Sequence, residues 1–328
     1  MKSKNQVGIL ATSSYLPERV VDNNYLEKIV DTTDEWIIQR TGIKQRRRVA
    51  PGEAASDMAA QAARKVLDKA KLSAQDVELL IVATITPDKS FPATACYVQD
   101  KIGARNAVAF DISAACSGYI YALSVAQGMI EFGEHKNALV IGTEVLTSIT
   151  DWFDRGSCIL FGDGAGAALL ASSKGANILS SHLATDGSLT ELLHLPAGGS
   201  RRPADYDTLN DRQHFIKMKG NELFKVAVIK MTEAAQIALS KCKLTSKDID
   251  LLIPHQANVR ILKAVAKRLG IPEETVFMNV DRYGNMSSAS SAVALDEAVS
   301  GGHIKKGDII VLDAFGAGLT WGAMVVKW

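Results

Sequence analysis

Three residues of this chain have side chains and settings that suit covalent chemistry: Cys116, His255 and Asn285. Cys116 stands in Asp111-Ile112-Ser113-Ala114-Ala115-Cys116-Ser117-Gly118, small residues that open an apolar, helix-like run. A cysteine at a helix N-terminus meets unpaired backbone N–H groups and the positive end of the dipole, and both favour the nucleophilic thiolate. His255 lies in Pro254-His255-Gln256-Ala257-Asn258 and Asn285 in Gly284-Asn285-Met286-Ser287-Ser288. Cysteine, histidine and asparagine in separate small-residue settings point to an enzyme with a covalent intermediate. A lone cysteine more often packs than reacts, and that reading is given to Cys96, Cys158 and Cys242. His135, His182, His194, His214 and His303 are likewise read as structural, and Asn285 after a glycine suits a turn as well as a site.

A duplication would position these groups. Residues 62–81 (AARKVLDKAKLSAQDVELLI) and 234–253 (AAQIALSKCKLTSKDIDLLI) are offset by 172, with 10 of 20 positions identical. Each copy reads as an amphipathic helix, a Ser/Thr turn and a buried strand, Leu79-Leu80-Ile81 and Leu251-Leu252-Ile253. At an offset of 170, Ala138–Gly142 aligns with Asp308–Leu312 and Ala122 with Ala292, so Cys116 falls opposite Met286, beside Asn285. One strong repeat at half the length predicts internal two-fold symmetry, not a solenoid. Alternating helices and strands predict α/β halves with mostly parallel sheets, and buried strands at Val108-Ala109-Phe110, Ala138 to Ile141, Ala167 to Leu170 and Ile309 to Leu312. The halves are expected at 1–174, with the cysteine, and 175–328, with the histidine and asparagine. The site is expected near the pseudo-two-fold, at strand C-terminal ends. The stretch from Pro196 to about Gln213 reads as loop. Gly162-Asp163-Gly164-Ala165-Gly166 lacks the residues of a phosphate cradle and reads as close backbone packing.

The 328 residues are 47% hydrophobic and 22% charged, with net charge +1. That composition gives no global field for nucleic acid or membrane. Four scattered cysteines without a C-x-x-C pair argue against a disulfide framework and a zinc site, so no metal is expected. No apolar run reaches membrane-spanning length, and Met1 to Gln6 lead into strand-like Val7-Gly8-Ile9-Leu10 without a signal-peptide core. A cytoplasmic protein is expected.

Seven motifs in order then carry a family resemblance across nearly the whole chain. They are Thr32-Thr33-Asp34-Glu35-Trp36 through Arg40-Thr41-Gly42-Ile43, Ser113 to Gly118, Asp154-Arg155-Gly156, Phe161 to Gly166, His255 to Asn258, Tyr283-Gly284-Asn285, and Phe315-Gly316-Ala317-Gly318-Leu319-Thr320-Trp321-Gly322. The chain resembles the 3-oxoacyl-[acyl-carrier-protein] synthase III condensing enzymes. The resemblance implies a thiolase-like fold, two duplicated halves in a five-layer αβαβα arrangement, and a homodimer. It implies that Cys116 takes the acyl group from an acyl-CoA and condenses it with a malonyl-carrier thioester, releasing CO₂ and initiating fatty-acid synthesis, with no cofactor beyond the thioester substrates. His255 and Asn285, which both donate while neutral, suit the enolate oxygen. By resemblance the oxyanion hole uses the N–H groups of Cys116 and Ala317, where many relatives have glycine; alanine serves if its φ is negative.

Resemblance also implies a CoA site of Thr32, Trp36, Arg40, Arg155, Asn221 and Asn258, with Trp36 stacking on adenine and Arg155 opposite. It implies that Phe161 lines the acyl pocket and that Phe91 contributes to the partner subunit's pocket; Leu146, Leu193, Met218 and Phe315 are further pocket candidates. Arg260, Lys263, Lys267 and Arg268 form a basic stripe suited to an acidic carrier protein, though an ordinary solvated helix face looks alike. Two other readings compete: a ketosynthase or acyltransferase of secondary metabolism on the same fold, and a Cys-His-Asn thioester hydrolase, in which Asn285 must orient His255.

Overall fold

The computed structural model describes residues 6–172 and 176–328; the expected boundary at 174/175 lies outside them. The duplicated segments fold alike. The helix Ala55–Ala70, a 3₁₀ turn Ala74–Asp76 and the strand Leu79–Ala83 answer to the helix Gly220–Lys241, the turn Ser246–Asp248 and the strand Leu251–Pro254. Even the helix exits match: Lys71 and Lys243, 172 apart, both take positive φ (54° and 61°). Just beyond them Leu72 and Leu244 donate back to the carbonyls of Leu67 and Leu239. This left-handed exit satisfies end carbonyls that the helix itself leaves open.

Nine strands form one sheet, with two small two-stranded sheets beside it; against the expectation of mostly parallel pairing, five of its neighbour pairs are antiparallel and three parallel, because adjacent strands such as Ile309–Gly316 and Thr320–Lys327 are joined by tight turns. On one side of its centre the order runs Val108–Ile112, Leu79–Ala83, Asn137–Val145, Asp163–Ser172, Val7–Tyr15; on the other, Leu251–Pro254, Ile309–Gly316, Thr320–Lys327, Asn177–Thr185. The halves meet where Val7–Tyr15 touches Asn177–Thr185 at a single register pair, Gly8 with Asn177. The second half lacks a full fifth strand: Val276 makes an isolated parallel bridge to Leu252, as Ala109 pairs with Leu80 in the first.

Strand alternation divides the core into three, and with it the chain into five layers. Leu79, Ile81, Val140, Leu170, Ile253, Leu312 and Met324 point into a central core with the helices Gly118–Phe132 and Ser288–Ser300. Leu80, Val82, Leu139 and Ile141 face the helix Ala55–Ala70, and Leu252, Val311 and Val325 face the helices Gly220–Lys241 and Val259–Leu269. Strands covered on both faces read as continuous apolar runs, which is why they were legible. Val108 departs from the expected burial: it is 51% exposed because Val108–Ile112 is the sheet edge. Cys96 is exposed, not packed, and Cys242 is only half-buried. The expected long loop contains a short helix, Tyr206–Asn210, capped by Asp205. Among the described residues no helix is long and apolar enough to cross a membrane.

Glycines let the central helices touch the strands. A Cβ on Gly166 would lie 2.6 Å from Ala292 Cβ and 2.7 Å from its carbonyl carbon, and one on Gly164 would lie 2.7 Å from Met286 Sδ. The glycine-rich run is therefore close packing, as expected. Gly166→Ala should cost about 1–3 kcal/mol in urea unfolding, the range for overpacking. Gly128→Ala, on the helix Gly118–Phe132 with open space around it, should instead gain ~0.5–1 kcal/mol.

Candidate active site

A cavity of about 500 Å³ opens where the two halves meet. Cys116, Asn285, Ser287, Ala317 and Thr320 stand on its wall, with an apolar lining that includes Ile85, Leu146, Phe161, Leu193, Ile216 and Met218. Cys116 sits in a single 3₁₀ turn, Ala115–Ser117, ahead of the helix Gly118–Phe132. Ala115 before it holds a positive φ of 46°, the kind of local strain that persists where surrounding structure fixes it.

The surroundings that fix it come from the C-terminal strands. Gly316 approaches so closely that a Cβ there would lie 2.6 Å from the Cys116 nitrogen. Thr320 Oγ1 donates to the carbonyls of Ala114 (3.0 Å) and Ala317 (3.1 Å), and Ser117 Oγ donates to the Thr320 carbonyl (3.0 Å). These bonds lock the nucleophile turn to the loop of Ala317. Ala317 is not among the residues with positive φ, so alanine meets the condition set for it.

Burial opposes the expected activation of Cys116. The thiol is 8% exposed, and burial pushes it up to about 12; the Ser287 side chain pulls it down and Glu144 pushes it further up. Desolvation disfavours the charged form, and the helix itself begins only two residues later, at Gly118.

Asn285 is held by its own neighbourhood. Its Oδ1 accepts from the Ser287 N–H (2.8 Å), its N–H donates to Leu160 (2.8 Å), and its carbonyl accepts from Gly162 (3.0 Å). Fully buried Arg46 reinforces the Leu160 segment by donating to the Ile159 carbonyl (2.7 Å). With the amide oxygen taken, the amide NH₂ is left for a ligand.

His255 follows the strand Leu251–Pro254, and its N–H donates to the Asp313 carbonyl (2.7 Å). Buried Gln256 fastens this turn, donating to Pro254 (2.8 Å) and Phe277 (3.1 Å) and accepting from Asn279 N–H (2.9 Å). His255 is 2% exposed, lies outside the cavity wall, and has no partner on either ring nitrogen. Burial lowers its pKa to about 3. Asn285 does not orient it, which removes the geometry a Cys-His-Asn hydrolase needs.

The other expected residues divide. Leu146, Phe161, Leu193 and Met218 line the cavity. Phe315 does not: it packs into the outer core with Val311 and Trp321, because alternate residues of its strand face outward. Phe91 is 83% exposed, away from this chain's cavity. His194, read as structural, stands on the cavity wall, in a strand paired with Lys217–Met218. Trp36 is stacked by Arg155 at 3.9 Å and Arg40 at 4.5 Å, so Arg155 occupies a ring face that adenine would need. Thr32 Oγ1 and Arg155 Nε are buried without partners. Asn258 caps the helix Val259–Leu269 through Ile261 N–H (3.0 Å), and Asn221 is exposed on the helix Gly220–Lys241. Arg260, Lys263, Lys267 and Arg268 are all exposed on Val259–Leu269, with Lys263 paired to Glu273 (2.8 Å). No group of metal-ligating side chains assembles among the described residues.

Thr320 and Ser287 lie inside the motifs above, but no spacing gave them or Glu144 a part in the site. Glu144 left a different signal, a carboxylate in the apolar strand Asn137–Val145. The state of His255 leads to a measurable expectation. Its ring should stay neutral from about pH 5 to 9 in ¹⁵N spectra. Because the unfolded chain protonates near 6.5 and the folded chain only near 3, this residue's contribution to stability should fall as pH drops below 6.5 and level off below about 3.

The chain is similar to known proteins over its whole length. The family described as 3-oxoacyl-[acyl-carrier-protein (ACP)] synthase III matches residues 110–187, and its C-terminal counterpart matches 239–328. A beta-ketoacyl-[acyl-carrier-protein] synthase III of Caldanaerobacter subterraneus subsp. tengcongensis is 53% identical, over 100% of this chain and 99% of its own. One of Clostridioides difficile is 54% identical over 98% of each. The crystal structure of 3-oxoacyl-[acyl-carrier-protein] synthase III from Aquifex aeolicus superposes with a TM-score of 0.91 at 49% identity, covering 98% of this chain and 100% of that one. With duplicated halves, a buried cysteine at their junction and relatives of this identity over full length, the chain belongs to the 3-oxoacyl-[acyl-carrier-protein] synthase III family.

Proposed function

We propose that this chain joins an acyl-CoA primer to a malonyl-carrier thioester, releasing CoA and CO₂ and giving the 3-oxoacyl-carrier product that starts fatty-acid synthesis. The observation that carries the site assignment is the shared cavity: Cys116 and the Asn285 amide face one apolar space between the halves. The acyl group of the primer fits the lining of Ile85, Leu146, Phe161, Leu193, Ile216 and Met218. Cys116 Sγ attacks its carbonyl, and the N–H groups of Cys116 and Ala317 receive the oxyanion. In the second half-reaction the malonyl carboxylate leaves as CO₂ while the Asn285 amide and a His255 N–H hold the enolate oxygen. A histidine that stays neutral, with both nitrogens unpartnered, remains a donor without adding a cation that would hold the carboxylate in place. The enolate carbon then attacks the acyl-Cys116 carbon.

Both substrates are thioesters, so the chemistry itself calls for no cofactor or metal. The buried, unpartnered Thr32 Oγ1 and Arg155 Nε beside Trp36 support the CoA site, with Arg155 lifting from the ring by about one van der Waals thickness, roughly 3.5 Å, as adenine enters. The exposed stripe of Arg260, Lys267 and Arg268 supports docking of an acidic carrier. The half-exposed edge strand Val108–Ile112, with Phe91 exposed nearby in sequence, supports a homodimer. A cytoplasmic site of action follows from CoA and carrier substrates. A secondary-metabolism ketosynthase is not favoured, since the relatives above 50% identity carry the synthase III name.

Mass spectrometry of the protein after exposure to a panel of acyl-CoAs should show one acyl adduct on Cys116; its absence with every primer would sink the assignment. Asn285→Ala should acylate at a rate close to wild type and lose about 10²–10³-fold in condensation, the range for removing one preorganised donor. Equal loss in both half-reactions would mean that Asn285 serves the first step too.

A further inference from the structure

The apolar wall of the Cys116 cavity has a seam. On one side is the segment after the strand Asn137–Val145, which contributes Leu146 and Ile149. On the other are the paired strands Leu193–His194 and Lys217–Met218, with Leu195 and Ile216 at their ends. Residues 196–215 loop out between those two strands as a flap. The flap is folded on itself. Ala197 N–H donates to the Gln213 carbonyl (3.1 Å), Gln213 N–H donates to the Thr208 carbonyl (2.9 Å), and Thr208 Oγ1 meets His214 Nε2 (3.0 Å). Among the described residues, the hydrogen bonds that leave the flap come from one side chain, Arg212.

Arg212 reaches across the seam to Asp151. Its Nε donates to Asp151 Oδ2 (3.0 Å) and its Nη2 donates to Oδ1, a two-pronged bond. Asp151 is 4% exposed and also accepts from Phe153 N–H (3.1 Å). The guanidinium lies between two rings, Phe153 at 4.9 Å and Phe215 at 5.0 Å. A fork fixed on a buried carboxylate and sheltered by aromatic rings differs from the mobile surface pair that contributes little. Arg212 holds the Asp151 carboxyl below its usual range, so the pair is charged at neutral pH. The backbone of Arg212 has a φ of 57°, a conformation that costs energy and persists where the surroundings fix it. Beside the clasp, Ile216 N–H donates to the Ile149 carbonyl (2.9 Å) across the same seam.

We propose that the Arg212–Asp151 clasp seals the cavity: it holds flap and seam shut over acylated Cys116 and keeps water from the thioester. The inference rests on the reading of Cys116 as acyl carrier. An acyl-cysteine awaiting its second substrate is open to hydrolysis. A water oxygen bonds to the acyl carbon, the bond from that carbon to Cys116 Sγ breaks, one water proton passes to the sulfur, and the free acid leaves. Closure that excludes water protects such an intermediate. Arg212 is then a positioning residue, acting through the flap. A clasp that served stability alone would move the unfolding midpoint and leave the lifetime of the acyl-enzyme unchanged.

Arg212→Ala isolates the clasp. Alanine takes the same backbone angle at a similar cost, and Lys217 Nζ, 3.7 Å from Asp151, still faces the buried carboxylate. Deuterium exchange of the amides of residues 196–215 should be about tenfold faster than in wild type, the scale of a lost charged hydrogen bond. Iodoacetamide should alkylate Cys116 faster by a similar factor, read at that residue by mass spectrometry because Cys96 is exposed as well. After loading with an acyl-CoA and without any malonyl thioester, acyl-Cys116 should decay to the free thiol about tenfold faster, while the loading rate stays within about threefold of wild type. Exchange or acyl-enzyme lifetime equal to wild type in Arg212→Ala overturns the seal. Phe153→Ala removes one ring from the guanidinium at a position 76% exposed, so it decides the matter should Arg212→Ala not fold. It should speed exchange and decay about two- to fivefold, the scale of an exposed cation–π contact, and no change in either overturns the seal. Absence of an acyl adduct from every primer in the wild type would sink the condensation reading instead. Exchange and alkylation would then judge the clasp by themselves: faster in Arg212→Ala supports closure over Cys116, and unchanged overturns it.

Discussion

Direct backbone contact between the central helices and the strands is the constraint on which the site depends. The helices Gly118–Phe132 and Ser288–Ser300 lie between the two halves of the sheet, and glycines let them settle against it. A Cβ on Gly142 would lie 2.7 Å from the Ser288 carbonyl oxygen, and one on Gly118 would lie 3.2 Å from Ala83 Cβ. Each helix begins at a catalytic segment, Cys116 at one and Asn285 to Ser287 at the other. Bringing the helices down onto the strands therefore brings the two segments to one cavity, and the hydroxyl of Ser288 ties them to Glu144 and to the Ala83 carbonyl.

The fold was legible because duplication prints it twice. Leu79-Leu80-Ile81 and Leu251-Leu252-Ile253 are covered on both faces, so their apolar character survives any register, and the two lysines at the helix exits confirm the match residue by residue. Cys116, Asn285 and Phe161 were legible from motifs, and Leu146, Leu193 and Met218 were pocket candidates from outside them. What the sequence hides is side-chain direction and burial. Phe315 and Ala317 are two apart, yet the first faces the outer core and the second the cavity, because the strand ends at Gly316. His194 looked like any lone histidine until its strand paired beside Met218. The Glu144 network joins residues 84, 86, 144 and 288, which no local spacing relates.

Electrostatically the site is quiet. The thiol of Cys116 is pushed up, His255 is pushed down, and Glu144 is pushed toward its neutral form, all mainly by burial. Cations are kept at the periphery, where Arg40 and Arg155 stack on Trp36. Charge that arises at the centre must therefore be met by dipoles and hydroxyls. Fixed dipoles in a dry site need no rearrangement as charge develops, which suits a reaction whose charges appear and vanish within each turnover.

The unequal ends of the sheet have a consequence for how copies can add to one another. One end, Val108–Ile112, offers a strand with a free hydrogen-bonding edge. At the other, the matching fifth strand has shrunk to the Val276 bridge, and the Phe277 N–H is already spent on the Leu252 carbonyl (2.9 Å). A chain with two competent edges would template its own extension into a fibre. With one edge blunted, growth by edge pairing terminates after a single addition: two free edges consume each other, and the joined sheet presents only blunt ends. Imperfect duplication thus sets a stop to polymerisation that a perfectly symmetrical molecule would lack.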